Sequence, residues 1–235
     1  MEDAKQFLNG PDQILPATSL TTTEPNGAVL FRDMETTGDV APMSVPTMLK
    51  TTAGLYPDKT ALSVKRSGEW LKWSYKQYHS DSRTIAKAFI KLGLETHHSV
   101  GILGFNAPEW FIAQTGAIFA GGLSCGIYTT NSPQACKYIA EDSRVNIMVV
   151  EDEKQLDKVL AIKSELPHLK AIIQYLGVPK KEGVLSWEEL LQIGIKEGDD
   201  LLEDRLKRIA INQCCGLIYT SGTTGLPKVR ILFDK

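Results

Sequence analysis

A short run near the end of the chain combines residue types suited to binding polyphosphate. The run is Tyr219-Thr220-Ser221-Gly222-Thr223-Thr224-Gly225-Leu226-Pro227-Lys228. Glycines allow backbone N–H groups to turn toward an anion, hydroxyls donate further hydrogen bonds, and the lysine supplies compensating positive charge. The run therefore predicts a loop that binds the phosphates of a nucleotide.

A Walker A loop and an ordinary surface turn are the two other interpretations of this run. A Walker A loop has the pattern G-x-x-x-x-G-K-[S/T], whereas only two residues separate Gly222 from Gly225 and Val229 follows Lys228. A turn rich in serine, threonine and glycine is the simpler alternative. The residue types at every position favour a nucleotide loop of a different kind.

The elements that must position this loop are predicted as alternating strands and helices. The predicted strands cover residues 61–65, 69–73, 100–105, 123–128, 146–150, 171–175 and 215–219, the last of which leads into the loop. The predicted helices cover residues 47–56, 75–92 (with Ser74 as its N-cap), 108–120, 133–142 and 153–164, and a capping box at Ser186 begins a further short helix. This alternation predicts an α/β fold, a mostly parallel sheet flanked by helices, in which ligands bind at the carboxyl ends of the strands.

Composition and charge narrow the class of protein. Hydrophobic residues make up 43% of the 235 residues and charged residues 23%, as in globular proteins. The net charge of −2 gives no basic stripe, so no nucleic-acid partner is expected. Residues 1–42 mix proline, threonine, asparagine and glycine without sustained periodicity and are predicted to form a disordered lead-in. Residues 43–235 are predicted to form the α/β domain.

Other side chains capable of chemistry are predicted to have structural roles. The cysteines lack metal-ligand spacing and are interpreted as reduced thiols of a cytoplasmic protein; they are Cys125, Cys136, Cys214 and Cys215. The histidines share no nucleophile or metal pattern and are interpreted as packing or surface residues; they are His79, His97, His98 and His168. No residue is assigned as catalytic or metal-binding.

An uncharged stretch from Trp110 to Cys136 is long enough to span a bilayer. Its glycines and polar residues instead favour a buried helix, a glycine turn and a buried strand, so no transmembrane span is predicted. Within it, Trp110 and Phe111 are predicted to pack in the core. Glu2 and Asp3 near the N-terminus, without a long apolar run, argue against a secretory signal.

The phosphate loop resembles the signature of the adenylate-forming (AMP-binding) superfamily at all of its positions. Further segments resemble the N-terminal half of a long-chain fatty acyl-CoA synthetase, in detail one of the bubblegum subfamily. These segments are residues 92–94, 100–106, 108–110, 120–122, 126–133, 169–175 and 212–215. The similarity covers roughly residues 43–228, and it is this resemblance that names the substrate class.

The resemblance implies an ATP-dependent long-chain fatty acid–CoA ligase. In such an enzyme the fatty carboxylate attacks the α-phosphorus of ATP, and CoA then displaces AMP from the acyl-adenylate. The implied cofactors and partners are ATP, Mg²⁺, CoA and a long-chain fatty acid, with peripheral membrane association as a further implication. By the same resemblance, the phosphate contacts come from Thr220, Ser221, Gly222, Thr223, Thr224, Gly225 and Lys228, while Leu226 and Pro227 shape the turn.

The resemblance stops after Lys228. The family continues with a glycine, a short apolar strand and a Ser-His pair, whereas this chain continues from Val229 to Lys235 with a different sequence and ends. We therefore expect a truncated or alternatively spliced form, an incomplete N-terminal domain that is inactive by itself. Two alternatives stay open: an adenylating enzyme for another carboxylic acid, and a non-catalytic product that interacts with a full-length partner or is unstable.

Overall fold

A computed structural model describes residues 9–30 and 42–220 in full, and of residues 228–233 the backbone. The helices are α1 (Val45–Leu55), α2 (Tyr75–Lys91), α3 (Pro108–Phe119), α4 (Pro133–Asp142), α5 (Glu153–Leu160), α6 (Trp187–Lys196) and α7 (Asp200–Arg208). The strands are β1 (Thr60–Arg66), β2 (Glu69–Ser74), β3 (Ser99–Leu103), β4 (Leu123–Ile127), β5 (Val145–Val150), β6 (Ala171–Gln174), β7 (Val184–Ser186), β8 (Cys214–Thr220) and β9 (Lys228–Phe233).

Within the described part of the chain, the main sheet has seven strands in the order β7-β6-β5-β3-β4-β8-β9. Neighbouring strands from β7 to β8 are parallel, and β9 pairs antiparallel with β8 at the edge. The predicted α/β class, a mostly parallel sheet flanked by helices, is confirmed. Strands β1 and β2 form a separate antiparallel hairpin.

Helices cover both faces of the sheet, and β5 shows how the two cores are divided. Ile147 and Val149 belong to a cluster that includes residues of α1, α2, α3, α6 and α7, among them Phe89. The alternate residues Met148 and Val150 belong to a second cluster with residues of α4 and α5. Successive side chains of a strand point to opposite faces of the sheet. Because helices cover both faces of β5, residues 145–150 are all buried.

Local sequence signals set the helix boundaries. Ser74 forms a capping box with Gln77 at the start of α2, and Ser186 forms another with Glu189 at the start of α6. Helix α1 begins two residues before the predicted position because the side chain of Ser44 accepts a hydrogen bond from the Thr47 amide. Helix α5 ends at Leu160, earlier than predicted, and a short 3-10 helix follows at Lys163–Glu165.

Three elements were not predicted. Strand β7 has only three residues, helix α7 is rich in charge and buries only Leu202, and β9 lies after the candidate phosphate loop. Strand β7 is too short and helix α7 too rich in charge to give a periodic pattern. Strand β9 lies in the segment where the sequence departs from the family that it resembles.

The stretch from Trp110 to Cys136 forms α3, β4 and the start of α4, as predicted. Gly121 makes the turn between α3 and β4 with a φ of 70°, in the left-handed region that favours glycine. Among the described residues, no helix combines the length and the apolar character needed to cross a membrane.

Residues 9–30 differ from the disordered lead-in predicted for residues 1–42. Asn212, before β8, donates its side-chain N–H groups to the carbonyls of Leu15 and Val29, both at 2.9 Å. Its carbonyl oxygen accepts from the Leu15 amide, also at 2.9 Å. One buried asparagine therefore orders a segment that has no periodic pattern of its own. The rest of that expectation, for residues 1–8 and 31–41, lies outside the described residues, and the domain boundary at residue 43 stays a prediction.

Candidate functional site

The candidate phosphate loop follows the carboxyl end of β8. Strand β8 is parallel to β4 and ends at Thr220. Of the predicted contacts, Ser221, Gly222, Thr223, Thr224, Gly225, Leu226 and Pro227 lie outside the described residues. Lys228 begins β9 and is the Cα partner of Thr220, so the two ends of the loop lie side by side where the parallel strands end. The phosphate contacts themselves stay a prediction.

Tyr219 ties the last residues of β8 to α4. Its side chain is buried, its hydroxyl donates a 2.6 Å hydrogen bond to Asp142 Oδ2, and its ring meets Tyr138 edge-on with centroids 6.4 Å apart. Burial, followed by the hydrogen bond to Asp142, raises the pKa of Tyr219. The phenol therefore stays protonated and acts as the donor, which fixes the strand that leads into the loop.

A pocket of about 470 Å³ lies beside this strand, at the carboxyl ends of β3, β4 and β8. That size falls in the range of small-molecule sites, about 300–1,000 Å³. Its lining is mainly apolar, and the larger side chains in it are Phe105, Trp110, Ile127, Tyr128, Leu217, Ile218 and Tyr219. The position agrees with the rule that ligands of parallel sheets bind outside the carboxyl ends of the strands.

Small residues keep the floor of this pocket open. Ser124 and Gly126 of β4 are the Cα partners of Gly216 and Ile218 of β8, so these four positions share one face of the sheet. A Cβ atom built on Gly126 would lie 3.3 Å from the ring of Trp110. A larger residue at position 126 would therefore occupy space that the pocket now uses.

The sequence interpretation missed most of the residues that line the pocket. Phe111, predicted to be in the core, is 39% exposed, so that prediction is wrong. Trp110 packs against the core as predicted, but it also lines the pocket. Trp110 follows the carboxyl end of a parallel strand, as do Phe105 and Tyr128, and this placement was the signal available in the sequence.

The cysteines are reduced thiols in structural surroundings. Cys125 and Cys136 are buried, and Cys214 and Cys215 are half-buried. Burial raises the pKa of Cys125 to about 12 and that of Cys214 to about 11. These two thiols are protonated at neutral pH, and it is the thiolate that acts as a nucleophile.

The histidines pack against aromatic neighbours or lie half-buried. His79 meets Phe119 edge-on at 5.9 Å, and His98 meets His168 edge-on at 5.6 Å. Burial is the main cause that lowers the pKa of His79, His97 and His98. Within residues 9–30 and 42–220, no three His, Cys, Asp or Glu side chains are grouped so that they could hold a metal ion.

Known proteins similar to this chain agree with the predicted family and fold. The family model of the AMP-binding enzymes matches residues 49–231. The long-chain-fatty-acid–CoA ligase ACSBG2 of Xenopus laevis is 48% identical over 212 residues, which are 89% of this chain and 29% of that protein. The long-chain-fatty-acid–CoA ligase ACSBG1 of Bos taurus is 46% identical over 215 residues, 91% of this chain and 30% of that protein.

Solved structures show the same fold. Acetoacetyl-CoA synthetase from Streptomyces lividans matches with a TM-score of 0.70 and 21% identity, over 83% of this chain and 31% of that one. The anthranilate CoA ligase AuaEII, in complex with anthranoyl-AMP, matches with a TM-score of 0.68 and 23% identity, over 86% of this chain and 36% of that one. The chain spans about 30% of the length of the curated relatives named above. The resemblance to adenylate-forming enzymes is confirmed: this chain belongs to the family of AMP-binding enzymes.

Proposed function

We propose that the chain is the N-terminal part of an ATP-dependent long-chain fatty acid–CoA ligase. The observation that carries this proposal is the 48% identity, over 89% of the chain, to a ligase of that name. The run from Thr220 to Lys228 would bind the β- and γ-phosphates of ATP. Its support is the residue types of the run and its position after a parallel strand.

The chemistry that this loop serves is adenylation followed by thioester formation. A carboxylate oxygen bonds to the α-phosphorus as the bond from that phosphorus to pyrophosphate breaks. The CoA thiol then bonds to the acyl carbon, loses its proton, and displaces AMP. Hydroxyls, glycine N–H groups and Lys228 would stabilise the charge of the leaving pyrophosphate. Mg²⁺ would enter with ATP, bound to its phosphate oxygens.

We further propose that the pocket of about 470 Å³ accepts the apolar chain of the fatty acid. It lies beside the strand that leads into the loop, and aromatic and aliphatic side chains form most of its wall. Burial of methylene groups against such a wall contributes about 0.8 kcal/mol each. The pocket therefore favours an apolar carboxylate over a small polar one.

Nucleotide binding by the chain itself tests the phosphate loop. We expect isothermal titration calorimetry to show MgATP binding, and Lys228→Ala to weaken it about tenfold, since a hydrogen bond to a charged group contributes about 1.5 kcal/mol or more. Lys181→Ala is the control, because Lys181 is exposed and far along the chain from the loop. Equal affinity of the Lys228→Ala variant and the wild type would contradict the assignment.

Activity requires more groups than the loop supplies, so we expect the chain alone to release no pyrophosphate from ATP with palmitate, Mg²⁺ and CoA. A chimera in which the chain replaces the matched segment of the Xenopus laevis ligase should release it. Lys228→Ala in that chimera should lower the rate about 10²–10³-fold. Turnover by the chain alone at the rate of the frog ligase would refute the first expectation.

The same chimera separates the alternatives. Pyrophosphate release with anthranilate or acetoacetate, and not with palmitate, would favour an adenylating enzyme for another carboxylic acid. A folded chimera without activity toward any of these acids would favour a non-catalytic product.

We also propose a cytoplasmic protein that associates peripherally with membranes. The reduced thiols support a reducing compartment. On the β1–β2 hairpin, Trp70 is 61% exposed, its Cα partner is Lys65, and Lys72 lies on the same face. An indole flanked by lysines suits the interface of an anionic bilayer. Sedimentation with vesicles of phosphatidylcholine and phosphatidylserine should decrease in the Trp70→Ala variant; unchanged sedimentation would contradict the proposal.

A further inference from the structure

The connection between β3 and α3 carries an aromatic side chain into the pocket. Residues Gly104, Phe105 and Asn106 follow β3 and line the pocket. The side chain of Phe105 is 69% exposed, so it gains little from burial in the folded protein. The position of the Phe105 side chain must therefore be set by the contacts that hold its backbone.

Both polar backbone atoms of Phe105 are bonded by side chains from the two next strands of the sheet. Glu151 follows β5, and its Oε2 accepts from the Phe105 amide at 2.9 Å. Tyr175 follows β6, and its hydroxyl donates to the Phe105 carbonyl at 3.0 Å. The backbone at both positions is fixed in turn: the Glu151 amide donates to Leu103, and the Tyr175 amide donates to Val150, each at 3.0 Å.

Gly104 permits this arrangement. A Cβ atom built on Gly104 would collide with the hydroxyl of Tyr175 and lie 3.0 Å from the Cβ atom of Glu151. The absence of a side chain there lets both groups reach the backbone of Phe105. Burial, followed by the charge of Glu151, raises the pKa of Tyr175, so its hydroxyl remains a donor.

We propose that Glu151 and Tyr175 are positioning residues that hold Phe105 as a fixed wall of the pocket, and that Phe105 sets the length of the apolar chain the pocket accepts. The second half of this inference rests on the proposed acyl function of the pocket. The two hydrogen bonds fix the backbone of Phe105. The wall discriminates between ligands by size, because this backbone cannot shift away from a longer chain without breaking them. A wall held only by solvent-exposed contacts would adapt to either length.

Ligand selectivity tests the wall. We would measure displacement of cis-parinaric acid from the chain by dodecanoate and by hexadecanoate, and compare the ratio of the two dissociation constants. Phe105→Ala should shift this ratio about four- to fifteenfold in favour of hexadecanoate, which is the effect of one or two further buried methylene groups. Glu151→Ala and Tyr175→Phe should shift it in the same direction by a smaller factor. Glu151→Gln keeps an oxygen acceptor for the Phe105 amide and should restore the wild-type ratio.

Two control variants make the same chemical changes at exposed positions. Glu153→Ala removes a carboxylate two residues from Glu151, on the surface, and Tyr56→Phe removes the hydroxyl of a tyrosine that is 54% exposed. Neither should change the ratio. If these residues affected stability alone, the variants would weaken the binding of both fatty acids by the same factor. An unchanged ratio of dissociation constants in Phe105→Ala, Glu151→Ala and Tyr175→Phe would therefore overturn the proposal.

Hydrogen–deuterium exchange of residues 104–107 tests the positioning without any ligand. Glu151→Ala should speed exchange of the Phe105 amide at least about tenfold, since it removes the acceptor, and Glu153→Ala should not. Failure of the wild-type chain to bind either fatty acid would refute the acyl function of the pocket and the length selectivity. Unchanged exchange in Glu151→Ala would instead refute the positioning, so the two failures are distinguishable.

Discussion

Arg66 and Glu109 join the β1–β2 hairpin to the first turn of α3 through two parallel hydrogen bonds of 2.8 Å. The Glu109 side chain is only 5% exposed and that of Arg66 29% exposed. Glu109 also lies where the α3 dipole favours negative charge. Among the described residues, the hairpin pairs with no strand of the main sheet, so this ion pair is a polar contact that holds the hairpin on the helix layer.

Arg66→Met should destabilise the chain by about 2 kcal/mol, because it leaves the buried Glu109 carboxylate without its partner. The measurement is the free energy of unfolding in urea. The double variant Arg66→Met/Glu109→Leu should lose less than the sum of the two single variants. Strictly additive losses would show that the two side chains are not coupled.

Gly194→Ala should destabilise the chain by about 1–3 kcal/mol, the usual cost of overpacking. A Cβ atom at Gly194 of α6 would collide with the backbone carbonyl of Thr84 in α2, which has no free rotation to give way. Gly198→Ala is the matched control, since a Cβ atom there would meet nothing within 4 Å. The measurement is the midpoint temperature of thermal unfolding of the two variants. Equal midpoints would contradict the close contact of α2 and α6.

Gly126→Val should weaken binding of hexadecanoate at least about tenfold, because the added side chain projects toward Trp110 and into the pocket. Displacement of cis-parinaric acid provides the measurement, with MgATP binding as the internal control. Loss of both ligands together would indicate misfolding of β4, and undiminished hexadecanoate binding would place the acyl chain elsewhere.

Stability should fall as the pH decreases below about 6.5, and His97 should contribute to this loss. Burial, followed by the charges of Arg205 and His98, lowers the pKa of His97 in the folded chain below its usual value of 6.5. The unfolded chain therefore binds the proton first, and stability is lost between 6.5 and the folded pKa.

His97→Asn should make the slope of stability against pH shallower between pH 7 and pH 5. Asparagine tolerates the left-handed backbone at this position, where φ is 59°. Ser67→Asn, at another non-glycine position with positive φ of 50°, is the control and should leave the slope unchanged. The measurement is urea unfolding at a series of pH values, and an unchanged slope in His97→Asn would count against a buried neutral imidazole.

The fold was predictable wherever the determining signals are local. Ser74 with Gln77, and Ser132 before Pro133, start their helices through hydrogen bonds to residues three positions away. Asn212 could not be interpreted in this way, because it orders Leu15 and Val29 from nearly 200 positions away. Signals of that range leave no periodicity in the sequence.

The candidate site likewise has one part that local residue types predicted and one part that depends on distant segments. The phosphate loop is one continuous run and could be recognised from residue types alone. The pocket is assembled from residues after β3, in α3, in β4 and in β8, so it required the order of the strands. The contacts of Glu151 and Tyr175 with Phe105 join three separate strand ends and had no counterpart in any single segment.

The order of strands in the sheet has a consequence for how the site forms. Strand β8 pairs with β4 across about 90 positions of the chain, whereas β3 and β4 are about 24 positions apart. Closing the longer loop costs about 1 kcal/mol more in chain entropy, and contacts distant in sequence slow folding. We expect β8 to dock after the rest of the parallel sheet, and to be the first of these strands to detach under partial denaturation. Ligand binding would then be lost in a subglobal unfolding step that leaves the remaining parallel strands intact.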